Sequence, residues 1–155
     1  MKIINEDIAN CIHKQGFVVV STLDENGSIH SSAKGVVGLE EDRVYLIDLY
    51  KARTFLNLER NPIITITAID EHNFSGYALK GKAKIIEREK IKDHLIQEWE
   101  ERVINRVSKR LIKNIKQDKG SQLHPESRFP TPQYLIEVKV QEIIDLAPAH
   151  LKTLG

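Results

Sequence analysis

The sequence has a single cysteine, a net charge close to zero and no long apolar run. Cys11 is its one cysteine, so neither a disulfide framework nor a thiolate metal site can form within the chain. The formal net charge of +1 gives no global argument for a nucleic acid or an anionic membrane as partner. No stretch approaches the roughly 20 apolar residues of a membrane span, and the N-terminal segment lacks the apolar core of a signal peptide. These absences predict a cytoplasmic protein without a nucleic-acid or membrane partner.

Short motifs of the common enzyme classes are also missing. The six histidines occur in neither an HExxH nor an HxH pattern, so the sequence predicts no metal site. A nucleophile elbow, a Walker loop and a GxGxxG fingerprint are absent as well. The sequence therefore identifies no catalytic residue, and any function must be inferred from binding features.

Strand signals dominate the first half of the chain. The segments FVVVSTL, IHSSAKGVVGL, RVYLIDL, IITITAID and FSGYALKGKAKIIE are predicted as strands, and Asn26-Gly27 is a strong hairpin signal between the first two. A sixth strand, QYLIEVKVQEIIDLA, follows a loop rich in proline and polar residues. Six antiparallel strands predict a closed or half-closed barrel, because a barrel hides its strand edges. Composition and length fit a single domain over residues 1–155.

Three helices are predicted. The first covers residues 6–15 after the N-cap Asn5, and the second covers residues 51–60 and ends at Asn61-Pro62. The third is a long helix at about 88–118, inserted before the last strand, whose apolar residues recur every fourth position and include Trp99. Its other face is basic, which leaves a membrane surface or an acidic partner as alternatives to packing on the sheet or on a second subunit.

The start of the second helix carries an unusual group of side chains. Lys51, Arg53 and Thr54 lie in its predicted first turn, where the helix dipole repels cations and favours anions. Free backbone N–H groups, two cations and a hydroxyl together can hold a phosphate. The alternative is a pair of exposed cations on a surface helix.

The second strand is unusual in having small polar residues at its centre. Its segment SSAKG places hydroxyls, a small side chain and a lysine where long apolar residues would normally fill a core. Small residues let a flat ligand approach the backbone closely, and Ser31, Ser32 and Lys34 could serve hydroxyls or a phosphate. The alternative is a segment that faces solvent.

In their order and spacing these features resemble the FMN-binding split barrel of the pyridoxamine 5'-phosphate oxidase-like flavoproteins. The match covers residues 17–87 and includes the Asn26-Gly27 hairpin, the cation-bearing turn after the third strand, the helix that ends at Asn61-Pro62 and the KGKA strand. The resemblance implies a mainly β fold, a six-stranded antiparallel split β-barrel with flanking α-helices. It also implies a homodimer with the flavin pocket between the subunits.

The resemblance further implies that FMN is the cofactor, and it indicates which residues bind it. Arg53 and Thr54, helped by Lys51, would bind the phosphate. Other residues would line the FMN with side chain or backbone, namely Ser31, Ser32, Ala33, Lys34, Ile47, Asp48 and Leu49.

The expected activity is that of an FMN-dependent oxidoreductase on a small molecule, with NADH or NADPH as a candidate electron donor. The oxidase proper carries an Arg-Lys pair where this chain has Arg53-Thr54, and its C-terminal stretch is not found here. Both departures favour a substrate other than pyridoxamine phosphate. The alternatives are a non-catalytic flavin carrier or sensor, and a relative that uses a deazaflavin or haem.

Overall fold

The computed structural model describes residues 3–91, 93, 96, 97, 101 and 133–152. The helices are α1 (Glu6–Lys14) and α2 (Arg53–Arg60), with short 3₁₀ turns at Arg88–Lys90 and Ala149–Leu151. The strands are β1 (Val18–Leu23), β2 (Ile29–Leu39), β3 (Arg43–Asp48), β4 (Ile63–Asp70), β5 (Ser75–Glu87) and β6 (Tyr134–Asp145).

The strands close into one antiparallel barrel in the order β1-β2-β3-β6-β5-β4. Each of these six strands therefore has two neighbours, so the barrel formed by the described residues contains no free edge strand. The sequence-based prediction of a six-stranded antiparallel barrel with flanking helices is confirmed. The β1–β2 turn also forms as predicted, because Gly27 adopts the positive φ of 86° that a tight hairpin turn requires.

Alternation along the strands separates a packed interior from an outer surface. Val20, Ile64 and Ile66 face inward and are fully buried, whereas Val19 and Ile63 face outward and are exposed. Helix α1 adds its apolar side to the same core, and its N-terminus is capped as predicted by Asn5 Oδ1, which accepts a hydrogen bond of 2.9 Å from the Ile8 amide. Cys11 belongs to this core, and burial raises the pKa of its thiol, as expected for an inert cysteine.

Helix α2 begins at Arg53, two residues later than the sequence predicted. Its N-cap is Ala52, which has no side-chain oxygen to accept a hydrogen bond from the first turn. Lys51 therefore precedes the helix and does not lie in its first turn. The predicted end is confirmed, since Asn61 is the C-cap and Pro62 follows it.

The chain after β5 leaves the barrel along its outer wall. Arg88–Lys90 is a 3₁₀ turn and not the first turn of the predicted long helix, while residues 93, 96, 97 and 101 are helical. Ile91 is buried and Ile96 is partly buried against an outer cluster that includes Ile47 and Leu135. The start of this segment thus packs on the barrel wall. The rest of the predicted helix, Trp99 included, lies outside the described residues.

Asp70, at the end of β4, fastens α1 to the barrel. Its carboxylate accepts hydrogen bonds from Asn73 Nδ2 at 2.8 Å and from Lys14 Nζ at 3.2 Å. These bonds, that of Asn73 first, hold the pKa of Asp70 below its ordinary value of 3.8. The charged form of Asp70 is thus the form that the folded state favours.

Asp70→Asn is expected to lower the thermal unfolding temperature in a pH-dependent way. Because folding lowers this pKa, the carboxylate contributes stability above its ordinary pKa of 3.8 and loses it as pH falls through the lower folded-state value. The difference between parent and variant should therefore persist from about pH 7 to about pH 5 and vanish near pH 2. Circular dichroism measures it, with the exposed neighbour Glu71→Gln as control. An equal difference at both extremes would contradict the prediction.

Candidate functional site

The predicted ligand-binding stretch of β2 divides between two faces of the barrel wall. Ser31 and Ala33 are exposed and point outward, and Ser31 Oγ lies 3.0 Å from Ser21 Oγ on β1. Ser32 and Lys34 face inward, since their register partners on β1 are the buried Val20 and Val18. One ligand therefore cannot meet all four side chains from one side.

A buried ion pair joins the middle of β2 to the last residue of β3. Lys34 Nζ is 2.9 Å from Asp48 Oδ2, with side chains 14% and 6% exposed. The hydroxyl of Tyr134, the first residue of β6, donates a hydrogen bond to the same carboxylate oxygen, and the Leu49 amide donates one of 2.9 Å to the other oxygen. Burial first, and then the Asp48 carboxylate, raise the pKa of Tyr134, so this hydroxyl stays protonated as a donor.

Two hydroxyls lie beside this pair. Ser32 Oγ is 3.0 Å from Oγ1 of Thr54, which is buried in the first turn of α2. Helix α2 is held there by Phe55, whose ring meets the Tyr134 ring edge-on with centroids 5.0 Å apart. We call the five residues that meet at this end of the barrel the inner polar cluster: Ser32, Lys34, Asp48, Thr54 and Tyr134.

The two predicted phosphate cations point to different sides of α2. Lys51 Nζ is 3.0 Å from Glu87 Oε2 and 5.0 Å from the centroid of the Phe55 ring. The Arg53 side chain is 66% exposed, and its Nε is 3.8 Å from Asp24 Oδ1 in the β1–β2 turn. Each cation is thus near a carboxylate, and the structure does not bring them together around one point.

A groove runs between α2 and the β1–β2 turn. It has a volume of about 680 Å³ and is lined by Asp24, Glu25, Asn26, Arg53, Leu56, Asn57 and Arg60. Its floor is the buried Asn57, whose Nδ2 donates hydrogen bonds of 3.0 Å to Thr22 Oγ1 and to Asp24 Oδ1. These bonds tie α2 to β1 and to the β1–β2 turn.

Ile47 and Leu49, predicted to touch a flavin with their backbone, point their side chains into the outer cluster with Tyr45 and Leu135. Their side chains are therefore apart from the inner polar cluster. The sequence did not predict that Tyr134 bonds to Asp48 or that Asn57 ties α2 to the β1–β2 turn. A buried tyrosine at a strand start and an asparagine in a short helix give no local signal, because their partners lie far away in the chain.

The outer surface of β2, β1 and β4 forms an uncharged face. Register aligns Val19 with Ala33 on one side and with Thr67 on the other, and Ser21 likewise with Ser31 and Thr65. Several of its apolar members are exposed, among them Ile29 at 73% and Ile63 at 50%. The uncharged face consists of Phe17, Val19, Ser21, Leu23, Ile29, Ser31, Ala33, Ile63, Thr65, Thr67 and Ile69.

Residues 4–147 match the family described as Pyridoxamine 5'-phosphate oxidase, which is nearly the whole chain. The chain belongs to this family. Curated proteins give no match to the sequence.

Solved structures show the same fold at low sequence identity. HupZ from Group A Streptococcus has a TM-score of 0.64 at 17% identity, with 93% of this chain and 94% of that chain covered. A pyridoxamine 5'-phosphate oxidase-related, FMN-binding protein from Nostoc punctiforme has 0.59 at 12% identity, covering 95% and 86%. An F420 reductase has 0.56 at 13% identity, covering 91% and 98%. The split-barrel fold is therefore shared by an FMN-binding protein and an F420 reductase.

Within the described ranges, no helix is both long enough and apolar enough to cross a membrane.

Asn57→Ala is expected to lower the free energy of unfolding by about 1–3 kcal/mol, because it leaves the buried Thr22 hydroxyl and Asp24 carboxylate without this donor. Urea denaturation measures the change. The neighbouring exposed residue provides the control, since Leu56→Ala should stay within about 0.5 kcal/mol of the parent. Equal losses in both variants would show that the Asn57 amide does not anchor α2.

Proposed function

We propose that this protein is an FMN-binding flavoprotein and that its phosphate subsite lies at the start of α2. The observation that carries the proposal is the hydroxyl pair of Ser32 and Thr54, 3.0 Å apart beside a helix start that has no side-chain cap. The first N–H groups of a helix lack intrahelical partners, and the helix dipole favours an anion there. Two hydroxyls, free amide donors and a nearby arginine form a donor set that fits a phosphate.

Arg53 would reach the phosphate from the groove side. Its side chain is exposed, and its separation of 3.8 Å from Asp24 is longer than a hydrogen bond, so little would be lost on turning toward an anion. Lys51 is a weaker contributor, because it precedes the helix and pairs with Glu87 at 3.0 Å. The structural position thus favours Arg53 over Lys51.

The flavin ring would lie along the outer side of β2. Ser31 and Ala33 present small side chains there, which lets a planar group approach the strand backbone. Both belong to the uncharged face, where a neutral ring system meets no competing charge. When bound, FMN supplies the electron-accepting and electron-donating chemistry, while the protein binds and orients it.

We infer a cytoplasmic oxidoreductase that acts on a small molecule, with NADH or NADPH as the candidate reductant. Family membership and the family's FMN-binding relative support this inference.

A second candidate is a non-catalytic flavin carrier or sensor. It is favoured by the inner polar cluster itself, in which Lys34 and Tyr134 are both already partnered by the Asp48 carboxylate. A third is a deazaflavin or haem protein, since an F420 reductase shares the fold.

The visible spectrum of the purified protein, followed by anaerobic NADH or NADPH, separates these candidates. Flavin peaks that bleach with either nucleotide support the oxidoreductase. Flavin peaks that persist with both favour the carrier or sensor. Spectra of a deazaflavin or haem, with no FMN bound on reconstitution, would contradict the FMN assignment.

The uncharged face would be the surface that pairs two subunits. It presents exposed isoleucines beside serine and threonine hydroxyls, and a charged residue occurs at none of its positions. Apolar surface exposed in one contiguous patch is characteristic of protein interfaces. Since Ser31 and Ala33 lie on the same face, the paired subunit would also cover the flavin ring.

Arg53→Ala is expected to weaken FMN binding by about 1.5–3 kcal/mol, the range for a hydrogen bond to a charged group, while the fold is retained. Fluorescence titration measures the affinity. Arg43→Ala is the matched control, because Arg43 begins β3 at the end opposite Asp48. Unchanged affinity in both Arg53→Ala and Lys51→Ala would place the phosphate elsewhere.

Sedimentation equilibrium is expected to give about twice the chain mass of 17.7 kDa. Ile63→Lys should shift the protein toward monomer, because it buries a charge in the proposed interface. Leu151→Lys is the control, as this residue is also half exposed but lies outside the uncharged face. A parent protein that is monomeric at micromolar concentration with FMN bound would refute the dimer.

A further inference from the structure

The groove between α2 and the β1–β2 turn is built from one face of the helix. Three of its members follow Arg53 at three, four and seven positions, the spacing of a single helix face, namely Leu56, Asn57 and Arg60. The opposite wall is the turn, with Asp24, Glu25 and Asn26. The volume of about 680 Å³ lies within the range of about 300–1,000 Å³ that is common for small-molecule sites. The groove is therefore large enough for more than a single ion.

Hydrogen bonds at two points fix the separation of the two walls. Asn57 Nδ2 donates to Asp24 Oδ1 at 3.0 Å, and an Arg60 guanidinium nitrogen donates to the Leu23 carbonyl at the end of β1 at 2.6 Å. The same nitrogen of Arg60 donates to Asn57 Oδ1 at 3.2 Å. The groove is thus preformed, as small-molecule sites usually are.

Opposite charges line the two walls. Arg53 begins α2 and Arg60 ends it, about 10 Å further along the helix axis, while Asp24 and Glu25 belong to the turn. Arg53 Nε is 3.8 Å from Asp24 Oδ1, longer than a hydrogen bond, and its side chain is 66% exposed. An exposed pair of this kind contributes little to stability. Asn57 already joins the walls, so these charges are available to a ligand.

The lining suits the parts of a nucleotide. Guanidinium groups such as those of Arg53 and Arg60 bind phosphate, and carboxylates such as those of Asp24 and Glu25 accept hydrogen bonds from ribose hydroxyls. Leu56 is 57% exposed between the two arginines and offers an apolar contact for a base. A cation for phosphate, an acceptor for sugar and a surface for a base therefore occur in one groove.

The groove also continues from the proposed phosphate subsite. Arg53 lines it, and the next residue is Thr54, whose hydroxyl lies 3.0 Å from that of Ser32. FMN ends at its phosphate, whereas FAD continues with a second phosphate, a ribose and adenine. We propose that the groove binds the adenylate half of FAD, and that the protein takes FAD in preference to FMN. This inference rests on the proposed function and goes beyond it by assigning a second ligand-binding site to α2 and the β1–β2 turn.

The first test compares the affinities of the parent protein for FMN and FAD by fluorescence titration. FAD should bind at least about tenfold more tightly, since one hydrogen bond to a charged group corresponds to about this factor. FAD affinity equal to or below that of FMN would overturn the proposal. ADP binding to FMN-saturated protein would in that case assign the groove to a separate nucleotide.

The second test removes the arginine at the far end of the groove. Arg60→Met should weaken FAD binding about 10- to 100-fold and leave FMN binding within about threefold of the parent. Arg43→Met is the matched control, because it breaks the ion pair with Glu137 on the other side of the barrel. A cation at a helix C-terminus also stabilises the helix, so the ratio of the two affinities is the readout. An equal loss for both flavins, or no loss for FAD, would contradict the assignment.

A third variant adds a charge without removing any hydrogen bond. Leu56→Glu places a carboxylate between the two arginines and should weaken FAD binding at least about fivefold through repulsion of the second phosphate, with FMN within about threefold. Leu151→Glu is the control, since this leucine is also about half exposed and lies outside the groove. FAD binding by Leu56→Glu equal to that of the parent would show that the adenylate lies elsewhere.

Failure of this inference is distinguishable from failure of the proposed function. A parent protein that binds neither FMN nor FAD contradicts the flavoprotein assignment and the groove assignment together. A parent that binds both flavins equally contradicts the groove assignment only. Circular dichroism of each variant establishes that the comparison is made on folded protein.

Discussion

The buried carboxylate of Asp48 joins three strands, and the candidate site depends on it. It forms an ion pair with Lys34 from the middle of β2, and it accepts hydrogen bonds from the Tyr134 hydroxyl at the start of β6 and from the Leu49 amide just after β3. A buried carboxylate is tolerated only with such partners, so the three strands are held in one arrangement at this point. Tyr134 extends the arrangement through its ring to Phe55, and thereby to helix α2.

In the closed barrel, successive side chains of β2 point alternately inward and outward. The inward side chains belong to the inner polar cluster near α2, and the outward side chains belong to the uncharged face. Ser32 and Lys34 therefore lie on the inner side of β2, and Ser31 and Ala33 lie on its outer side.

Local patterns were enough to predict most of the fold and part of the site. The six strands, the Asn26-Gly27 turn and the Asn5 cap follow from propensity and spacing, which act over a few residues. The predicted start of α2 was two residues too early, because Ala52 has no capping side chain that would mark the true start in the sequence. The contact of Asp48 with Tyr134 spans 86 positions of the chain and depends on strand register, which no local pattern contains.

The connection between β5 and β6 leaves the barrel and returns to it at one place. Glu87 and Tyr134, the residues at its two ends, are register partners on adjacent strands. Whatever its length, this connection therefore closes a hairpin, and loop-closure entropy rises only slowly with length. Its two ends adjoin contacts of the candidate site, because Glu87 pairs with Lys51 and Tyr134 donates to Asp48. A connection of different length could join the same two residues, but it would have to keep the contact of the buried Ile91 with the outer cluster.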